Sequence, residues 1–235
     1  MPEAGAILIT RPEPGASATA AHLLGRGFIP VLAPLLRIRR LQPRLPGPDR
    51  IQALVVTSAN ALPALAVAHR QVPLYVVGDA TAAEARALGF TVVTSAGGDA
   101  TALSALVDSA CQPKREPLLL ATGARQGGRL AAALRVGRFA VIRRSVYAAE
   151  PVAKLPKSAR TSLAEGRIAA ALFFSGETAA TFTRLVAIAG LSAALTPVAA
   201  MVIGPAAARA LRPLPFRSVR VALRPTEEAV LAMLE

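Results

Sequence analysis

The hydrophobic positions of this chain form short runs that end in small or polar residues, and such runs come in similar pairs in the two halves. Leu54–Asn60 (LVVTSAN) precedes Leu74–Leu88 (LYVVGDATAAEARAL), and Ala171–Thr178 (ALFFSGET) precedes Ala199–Leu211 (AAMVIGPAAARAL). Runs rich in Val, Ile and Phe are typical of buried strands, and the small residues after them indicate turns into helices. Ligands of open parallel sheets bind at such turns. The pattern predicts two facing α/β lobes with a ligand between them.

Strands and helices are predicted to alternate along almost the whole chain, with helices such as 59–68 and strands such as 91–93 and 219–223. The strands lack an in-and-out polar rhythm, which favours parallel sheets covered on both faces. Pro34–Arg50 is rich in proline and shows no periodicity, so we interpret it as a linker, and Ala149–Pro156 marks the return. We expect lobe one to comprise residues 1–35 and 150–235, with 36–149 inserted as lobe two together with the connecting segments.

One uncharged stretch, Leu185–Ala208, is long enough to cross a bilayer. Gly190, Ser192 and the pair Thr196-Pro197 interrupt it, and alanine supplies much of its apolar character. We therefore interpret it as a helix, a loop and a buried strand, and we expect no membrane association.

The net charge of +13 favours a polyanionic partner, although 24 of the 27 basic residues are arginine, a bias that a GC-rich coding sequence also produces. Only 4% of the residues are aromatic, which makes base-stacking surfaces hard to build, so we expect no nucleic-acid partner. Cys111 is the only cysteine and the opening residues MPEAG lack a basic leader region, which indicates a cytoplasmic protein. We expect a monomer.

Conventional catalytic machinery is missing from the sequence. The loop TGARQGGRL has the glycine spacing of a phosphate-binding loop, but Arg129 and Leu130 stand where lysine and Ser or Thr belong. No GxGxxG follows the first strand, no GxSxG is present, and His22 and His69 lie among alanines and leucines on predicted helices. We therefore expect no cofactor and no metal.

What remains is a set of hydrogen-bonding residues at the predicted turns. Each has a structural interpretation as a helix cap, and together they also suit a ligand that carries many carboxylates. They are Thr10, Arg11, Ser58, Asn60, Thr81, Gly123, Arg125, Ser175, Gly176 and Gly204. Tyr147 lies within RRSVYAAEP, where the chain is predicted to cross back between the lobes, and fits either a functional role or a packed tyrosine with its hydroxyl at the surface.

The serial order of these segments resembles the uroporphyrinogen-III synthase family across essentially the whole chain. The segments are LITRP, TSANAL, YVVGDATA, TGARQGGRL, SVY, LFFSGET and VIGPAAARAL. The resemblance implies two flavodoxin-like parallel-sheet lobes joined by a two-stranded linker, with the middle lobe inserted into the first. It also implies a cofactor-independent lyase that dehydrates hydroxymethylbilane, a linear tetrapyrrole with eight carboxylates, and closes it with inversion of the last ring.

The resemblance further implies that Tyr147 assists departure of the hydroxyl and that the turn residues grip the carboxylates. One departure from the family is the pair Ala206 and Ala207, where many members carry threonine. That pair leaves open a second hypothesis, a non-catalytic two-lobed binder of a small polyanion. A third, a nucleic-acid-binding protein, depends on the net charge alone.

Overall fold

A computed structural model describes residues 5–234. Glu235 lies outside this range, and so do Met1–Ala4, on which the expectation of no leader region depends. The chain divides into two compact units, Met1–Arg37 with Glu150–Glu235 and Ile38–Ala149. The strands are β1 Ala6–Ile9, β2 Pro30–Leu32, β3 Leu36–Arg40, β4 Ala53–Val56, β5 Leu74–Val76, β6 Val93–Ser95, β7 Leu118–Gly123, β8 Val141–Pro151, β9 Ile168–Phe173, β10 Ala199–Val202 and β11 Ser218–Val221. The α-helices are α1 Gly15–Gly25, α2 Leu62–Leu65, α3 Asp79–Ala87, α4 Ala100–Ala110, α5 Gly128–Val136, α6 Lys157–Ala164, α7 Gly176–Ile188, α8 Pro205–Leu211 and α9 Glu227–Leu231.

Each unit contains one sheet, and its strands, apart from the edge strand β3, pair in parallel. The sheet of the discontinuous unit has the order β11-β10-β9-β1-β2, and the sheet of the inserted unit has the order β3-β8-β7-β4-β5-β6. Numbered within its own unit, the first sheet reads 2-1-3-4-5, the flavodoxin order. The second, without its edge strand β3, reads 3-2-1-4-5, the order of a Rossmann half. The predicted α/β class with two parallel-dominated sheets is confirmed.

The strands of the discontinuous unit bury side chains on both faces, as expected of a parallel sheet. Along β1, Leu8 packs into a core with α6, α7 and α8, whereas Ile7 and Ile9 pack into a second core with α1 and α9. Phe173 and Phe182 meet edge to face in the first of these cores, with ring centroids 5.2 Å apart. This alternation holds both helical layers against one sheet and fixes the turns that follow β1 and β9.

The inserted unit is built in the same way. Leu54 and Val56 of β4 face a core shared with α2 and α3, while Ala53 and Val55 face a core shared with α4 and α5. Its strands are therefore apolar on successive positions, which is why the sequence shows short continuous runs rather than an alternating pattern.

Several sequence-based predictions need correction. The supposed linker contains β3, where Leu36 and Ile38 alternate with exposed arginines beside β8. Prolines on both sides hide this short alternation. The helix expected over 59–68 is a 3₁₀ turn followed by the single turn α2, β6 begins at Val93, and the last strand ends at Val221.

The uncharged stretch after Leu185 has the predicted structure. Helix α7 ends at Ile188, a short 3₁₀ segment covers Ser192–Leu195, and the buried strand β10 follows. Within residues 5–234, the helices are all too short or too polar to cross a membrane.

Candidate functional site

In each sheet the strand order reverses at one point, and the predicted site residues concentrate there. Neighbouring strands on either side of such a switch point send their chains in opposite directions, which opens a crevice at the carboxyl ends of the strands. In the discontinuous unit the switch point lies between β1 and β9, so the turns after these strands form it. They contribute Thr10, Arg11, Ser175 and Gly176.

Thr10 joins the two strands of this switch point. Its side chain is completely buried, and its hydroxyl donates a 2.6 Å hydrogen bond to the carbonyl oxygen of Leu172 in β9. The hydroxyl proton therefore serves the fold, and the residue fixes the turn after β1 against the end of β9.

Arg11 follows Thr10 and is held on two sides. Its guanidinium carbon lies 4.5 Å from the centre of the Phe174 ring, next to Ser175. Its Nη1 donates to Glu227 Oε2 at 2.7 Å and to Thr19 Oγ1 at 3.1 Å. Glu227 is the first residue of α9, so the last helix of the described chain fixes the orientation of a guanidinium at the switch point.

The carboxylate of Glu227 is also shared with helix α1. Its Oε1 accepts a 2.9 Å hydrogen bond from the hydroxyl of Thr19, which is completely buried, and lies 3.0 Å from His22 Nδ1. The sequence analysis did not identify Glu227 as a residue that supports the site. Its partners lie more than two hundred positions earlier, and no local pattern reports such a contact.

Ser175 caps helix α7, as the structural interpretation of this residue required. Its Oγ accepts from the backbone N–H of Thr178 at 3.1 Å and lies 2.7 Å from the Thr178 hydroxyl. Gly204 occupies the corresponding cap position of α8 after β10.

The helices α7 and α8 begin close together because small residues stand at their starts. A Cβ on Gly176 would come within 3.3 Å of the Cβ of Ala206.

In the inserted unit the switch point lies between β4 and β7. Val56 pairs with Ala121, so the turns that contain Ser58 and Gly123 leave the sheet at the same level. Ser58 Oγ accepts a long, 3.4 Å hydrogen bond from the N–H of Asn60 and caps the 3₁₀ turn there. Arg125 lies in the turn after β7, while Thr81 lies one strand away in the first turn of α3.

The turn after β7 has an unusual backbone that several contacts hold in place. Arg125 and Gly127 both adopt left-handed conformations, with φ of 63° and 76°. A Cβ on Gly127 would clash with the Thr122 side chain, so this position requires glycine. The N–H of Gln126 donates to the carbonyl oxygen of Gly123, and the Gln126 carbonyl oxygen accepts from Arg143 Nη1 at 2.6 Å.

Tyr147 reaches this turn because the pairing of β8 with β7 shifts by one residue. Thr122 pairs with Ser145, but Gly123 pairs with Tyr147, so Val146 is the inserted residue. As a result, Val146 and Tyr147 both pack into the core that contains Leu54 and Leu119. Insertions of this kind re-aim side chains and occur beside active sites.

The phenol of Tyr147 is 3% exposed and its hydroxyl donates a 3.1 Å hydrogen bond to Oε1 of Gln126. A Cβ on Gly123 would lie 2.8 Å from both Tyr147 Cζ and Gln126 Oε1. The missing side chain of Gly123 therefore makes room for the phenol and its amide partner. The sequence analysis did not identify Gln126, although it compared the turn that contains this residue with a phosphate-binding loop because of its glycine spacing.

Exposed basic residues lie in the turn after β7, at the start of α5 and on β8. Arg125, Arg129 and Arg143 are all exposed, and Arg143 contacts the turn directly. The inserted unit thus presents a buried hydroxyl, backbone amides and guanidinium groups at one switch point. This combination suits a ligand with several carboxylates.

The single cysteine and the buried histidine make their contacts away from the two switch points. Burial raises the pKa of the half-buried Cys111 thiol and, together with that thiol, the pKa of Tyr75. His69 is buried and its Nε2 lies 2.9 Å from the carbonyl oxygen of Pro46. Among residues 5–234, His, Cys, Asp and Glu side chains form no group that could hold a metal ion.

Comparison with known proteins gives one family and one fold. A sequence profile described as uroporphyrinogen-III synthase HemD matches residues 17–232. The structure is similar to that of uroporphyrinogen-III synthetase from Helicobacter pylori 26695, with a TM-score of 0.64, 18% identity and 97% of each chain covered. It is also similar to a mutant uroporphyrinogen III synthase from Thermus thermophilus, with a TM-score of 0.53, 18% identity and coverage of 97% and 96%. A search of curated proteins finds no significant match.

The two structural similarities concern the fold, whereas the profile covers most of the sequence. Because it begins within α1 and ends at the 3₁₀ turn after α9, it includes the whole switch point of the inserted unit and, at the switch point of the discontinuous unit, β9 but not β1 or the turn after it. The chain belongs to the uroporphyrinogen-III synthase family.

Proposed function

We propose that this protein is a uroporphyrinogen-III synthase, which dehydrates hydroxymethylbilane and cyclises it to uroporphyrinogen III with inversion of ring D. Membership of the family supports the reaction class. The observation that carries the proposal is the Tyr147 hydroxyl, held at the switch point of the inserted unit beside exposed arginines.

The proposed first step is loss of the terminal hydroxyl. Tyr147 gives its proton to the leaving oxygen as the carbon–oxygen bond breaks, and water departs. The pyrrole N–H loses its proton, which leaves an azafulvene and restores the phenol once that proton returns. A phenol suffices as the acid because the pyrrole nitrogen supplies the electron pair that expels the hydroxyl.

The isomer is determined by positioning rather than by a strong acid or base. An azafulvene cyclises without help, but to the wrong isomer, so the protein has to hold the chain for closure through a spiro intermediate and prevent direct closure. We propose that the turn residues do this by binding carboxylates. Arg11, Ser58, Asn60, Thr81, Gly123, Arg125, Ser175, Gly176 and Gly204 supply side-chain or backbone donors, and Thr10 fixes the turn that carries Arg11.

The remaining parts of the proposal follow from this chemistry. The reaction needs neither electrons nor a Lewis acid, so we propose that the enzyme works without a cofactor. We also propose that it acts as a cytoplasmic monomer on this small-molecule substrate.

Enzymatically generated hydroxymethylbilane tests the proposal directly. Supplied to the purified protein and followed by separation of the product isomers, it should yield mainly the type III isomer. A product no richer in type III than the enzyme-free control would refute it.

The second candidate function is a non-catalytic binder of a small polyanion. It is favoured by Ala206, which is exposed at the start of α8 and offers no hydroxyl where many members of the family carry threonine. In the same assay this binder would retain the tetrapyrrole and leave the isomer ratio at the enzyme-free value.

A further inference from the structure

The Tyr147 hydroxyl has a side-chain partner, Gln126, for which the proposed reaction alone gives no reason. The phenol donates to the side chain of Gln126, the turn that carries Gln126 is held by Arg143, and Gly123 leaves space for both groups. We propose that Gln126 is a positioning residue that orients the Tyr147 hydroxyl for proton transfer. This inference rests on the proposed function.

The first observation is the contact itself. The phenol is buried while Gln126 is an exposed residue, so the amide meets the hydroxyl at the protein surface. The hydroxyl is the one polar atom of an otherwise apolar ring that packs among Leu54 and Leu119. The 3.1 Å hydrogen bond to Gln126 Oε1 therefore favours one direction of this hydroxyl.

The second observation is that the backbone of Gln126 is held independently of its side chain. Its N–H donates to the Gly123 carbonyl oxygen, and its carbonyl oxygen accepts from both Arg143 Nη1 and, at 3.4 Å, Thr122 Oγ1. A side chain of this length usually costs considerable rotamer entropy when it is fixed. Because the backbone of Gln126 is already anchored, fewer side-chain conformations are open to it, and less entropy is lost when its amide binds the phenol.

The third observation concerns the chemistry of a primary amide. Its oxygen accepts the hydrogen bond from the phenol, and its nitrogen carries two donors. Rotation of the amide by half a turn presents an N–H to the Tyr147 oxygen and frees the phenol proton to point at the leaving hydroxyl of the substrate. The same N–H then stabilises the negative charge that develops on the phenol oxygen as its proton leaves.

This role makes a specific demand on the residue at position 126. It has to accept in one orientation and donate in the other, which glutamine can do and glutamate cannot. A carboxylate at this position would hold the phenol in a strong hydrogen bond, and its negative charge would disfavour the negative charge that develops on the phenol oxygen.

Two variants and one control test the proposal in kinetic measurements. For Gln126→Ala we expect kcat to fall about 10- to 100-fold with KM changed by less than about threefold, because the interaction strengthens as proton transfer proceeds. For Gln126→Glu we expect a loss of kcat at least as large. Gln71→Ala is the matched control, since Gln71 Oε1 accepts from the Thr91 hydroxyl in the same unit, away from Tyr147.

A spectroscopic measurement tests the contact without reference to activity. The chain has two tyrosines and no tryptophan, so Tyr147 is the only phenol left in a Tyr75→Phe background. A phenol that donates a hydrogen bond absorbs at longer wavelength than one that does not. Gln126→Ala in this background should shift the near-ultraviolet tyrosine band to shorter wavelength, and Gln71→Ala should leave it in place.

The outcomes separate this inference from the function on which it rests. If the unmodified protein makes no excess of type III isomer, the proposed function fails, and the inference fails with it whatever the spectrum shows. If the unmodified protein is active but Gln126→Ala keeps its kcat, or if Gln126→Glu restores the kcat lost in Gln126→Ala, the inference is overturned. Loss of kcat with the expected band shift, in protein whose circular dichroism is unchanged, supports it.

Discussion

Substitution of Glu227 by alanine should destabilise the discontinuous unit, because this carboxylate connects α9 to the turn after β1 and to α1, more than two hundred residues earlier. It accepts from Arg11 and from Thr19 and lies beside His22. The side chain is 21% exposed and that of Arg11 is 28% exposed, so solvent screens the ion pair. On its own this pair contributes only about 0.2–1 kcal/mol.

The larger loss comes from Thr19. Its hydroxyl is completely buried and would have to give up its charged acceptor, which costs about 1–3 kcal/mol. Together the two effects predict that Glu227→Ala lowers the free energy of unfolding by about 1–4 kcal/mol.

The matched control is Glu228→Ala. Glu228 is exposed and lies in the same first turn of α9, so it has the same favourable interaction with the helix dipole. The difference between the two variants therefore reports the contacts of Glu227 alone, and it should amount to about 2 kcal/mol. Urea unfolding followed by circular dichroism gives the two free energies, and hydrogen exchange at the amides of α1 and α9 assigns the loss to this unit.

Two results would refute this reasoning. One is a difference between the Glu227→Ala and Glu228→Ala free energies below about 0.5 kcal/mol, the usual size of a surface substitution. The other is an effect of Glu227→Ala that stays the same in a Thr19→Val background, because the proposed loss requires the Thr19 hydroxyl.

Three further predictions concern the inserted unit. Gly123→Ala should displace the Tyr147 phenol and lower kcat in the isomer assay, whereas Gly128→Ala, whose Cβ meets no atom within 4 Å, should leave kcat unchanged. Tyr147→Phe should slow turnover about 100-fold or more while urea unfolding stays near that of the unmodified protein, and normal kinetics would return the residue to a structural role. Asp99 caps α4, and hydrogen bonds from the N–H groups of Ala102 and Thr101 lower the pKa of its carboxyl group. The contribution of this cap to stability is therefore complete above the pKa that Asp99 has in the unfolded chain, and it is lost as the pH falls through the lower pKa of the folded state. Unfolding of Asp99→Asn across acidic pH should therefore show a weaker loss of stability than the unmodified protein, and identical acid profiles would contradict this assignment.

Most strands of the two sheets could be predicted from the sequence because a parallel strand buries successive side chains on opposite faces. Leu54–Val56 and Leu172–Phe173 are apolar at every position for this reason, and the chain that follows them has to turn into a helix. The interpretation of Leu185–Ala208 succeeded for a related reason, since Gly190 and Pro197 interrupt any single helix.

The edge strand and the shift in β8 could not be predicted in the same way. β3 has only a few apolar positions, and its neighbour in the sheet lies about a hundred residues further along the chain. The extra residue Val146 is ordinary in a strand, and it is recognisable only from the residues of β7 that pair with its neighbours.

The candidate site was predictable as far as it consists of turns. Ser58, Ser175 and Gly204 follow predicted strands in the sequence, and in the structure each lies two residues after a strand at a helix-cap position, so their positions followed from the pattern alone. The groups that orient the charged and phenolic side chains, Glu227 and Gln126, depend on contacts between distant segments. Such contacts have no signature in local sequence.

The inserted residue at position 146 affects how this chain aligns with its relatives. Tyr147 lies opposite Gly123, and alternation along β7 places Gly123 on the same face as Leu119 and Ala121, which pack into the core that contains the phenol. A chain without the extra residue would form an unbroken ladder between these two strands, and its tyrosine would still lie opposite the glycine and face the same core. A sequence alignment of the two chains would then show a one-residue gap just before the tyrosine, although the two phenols occupied equivalent positions.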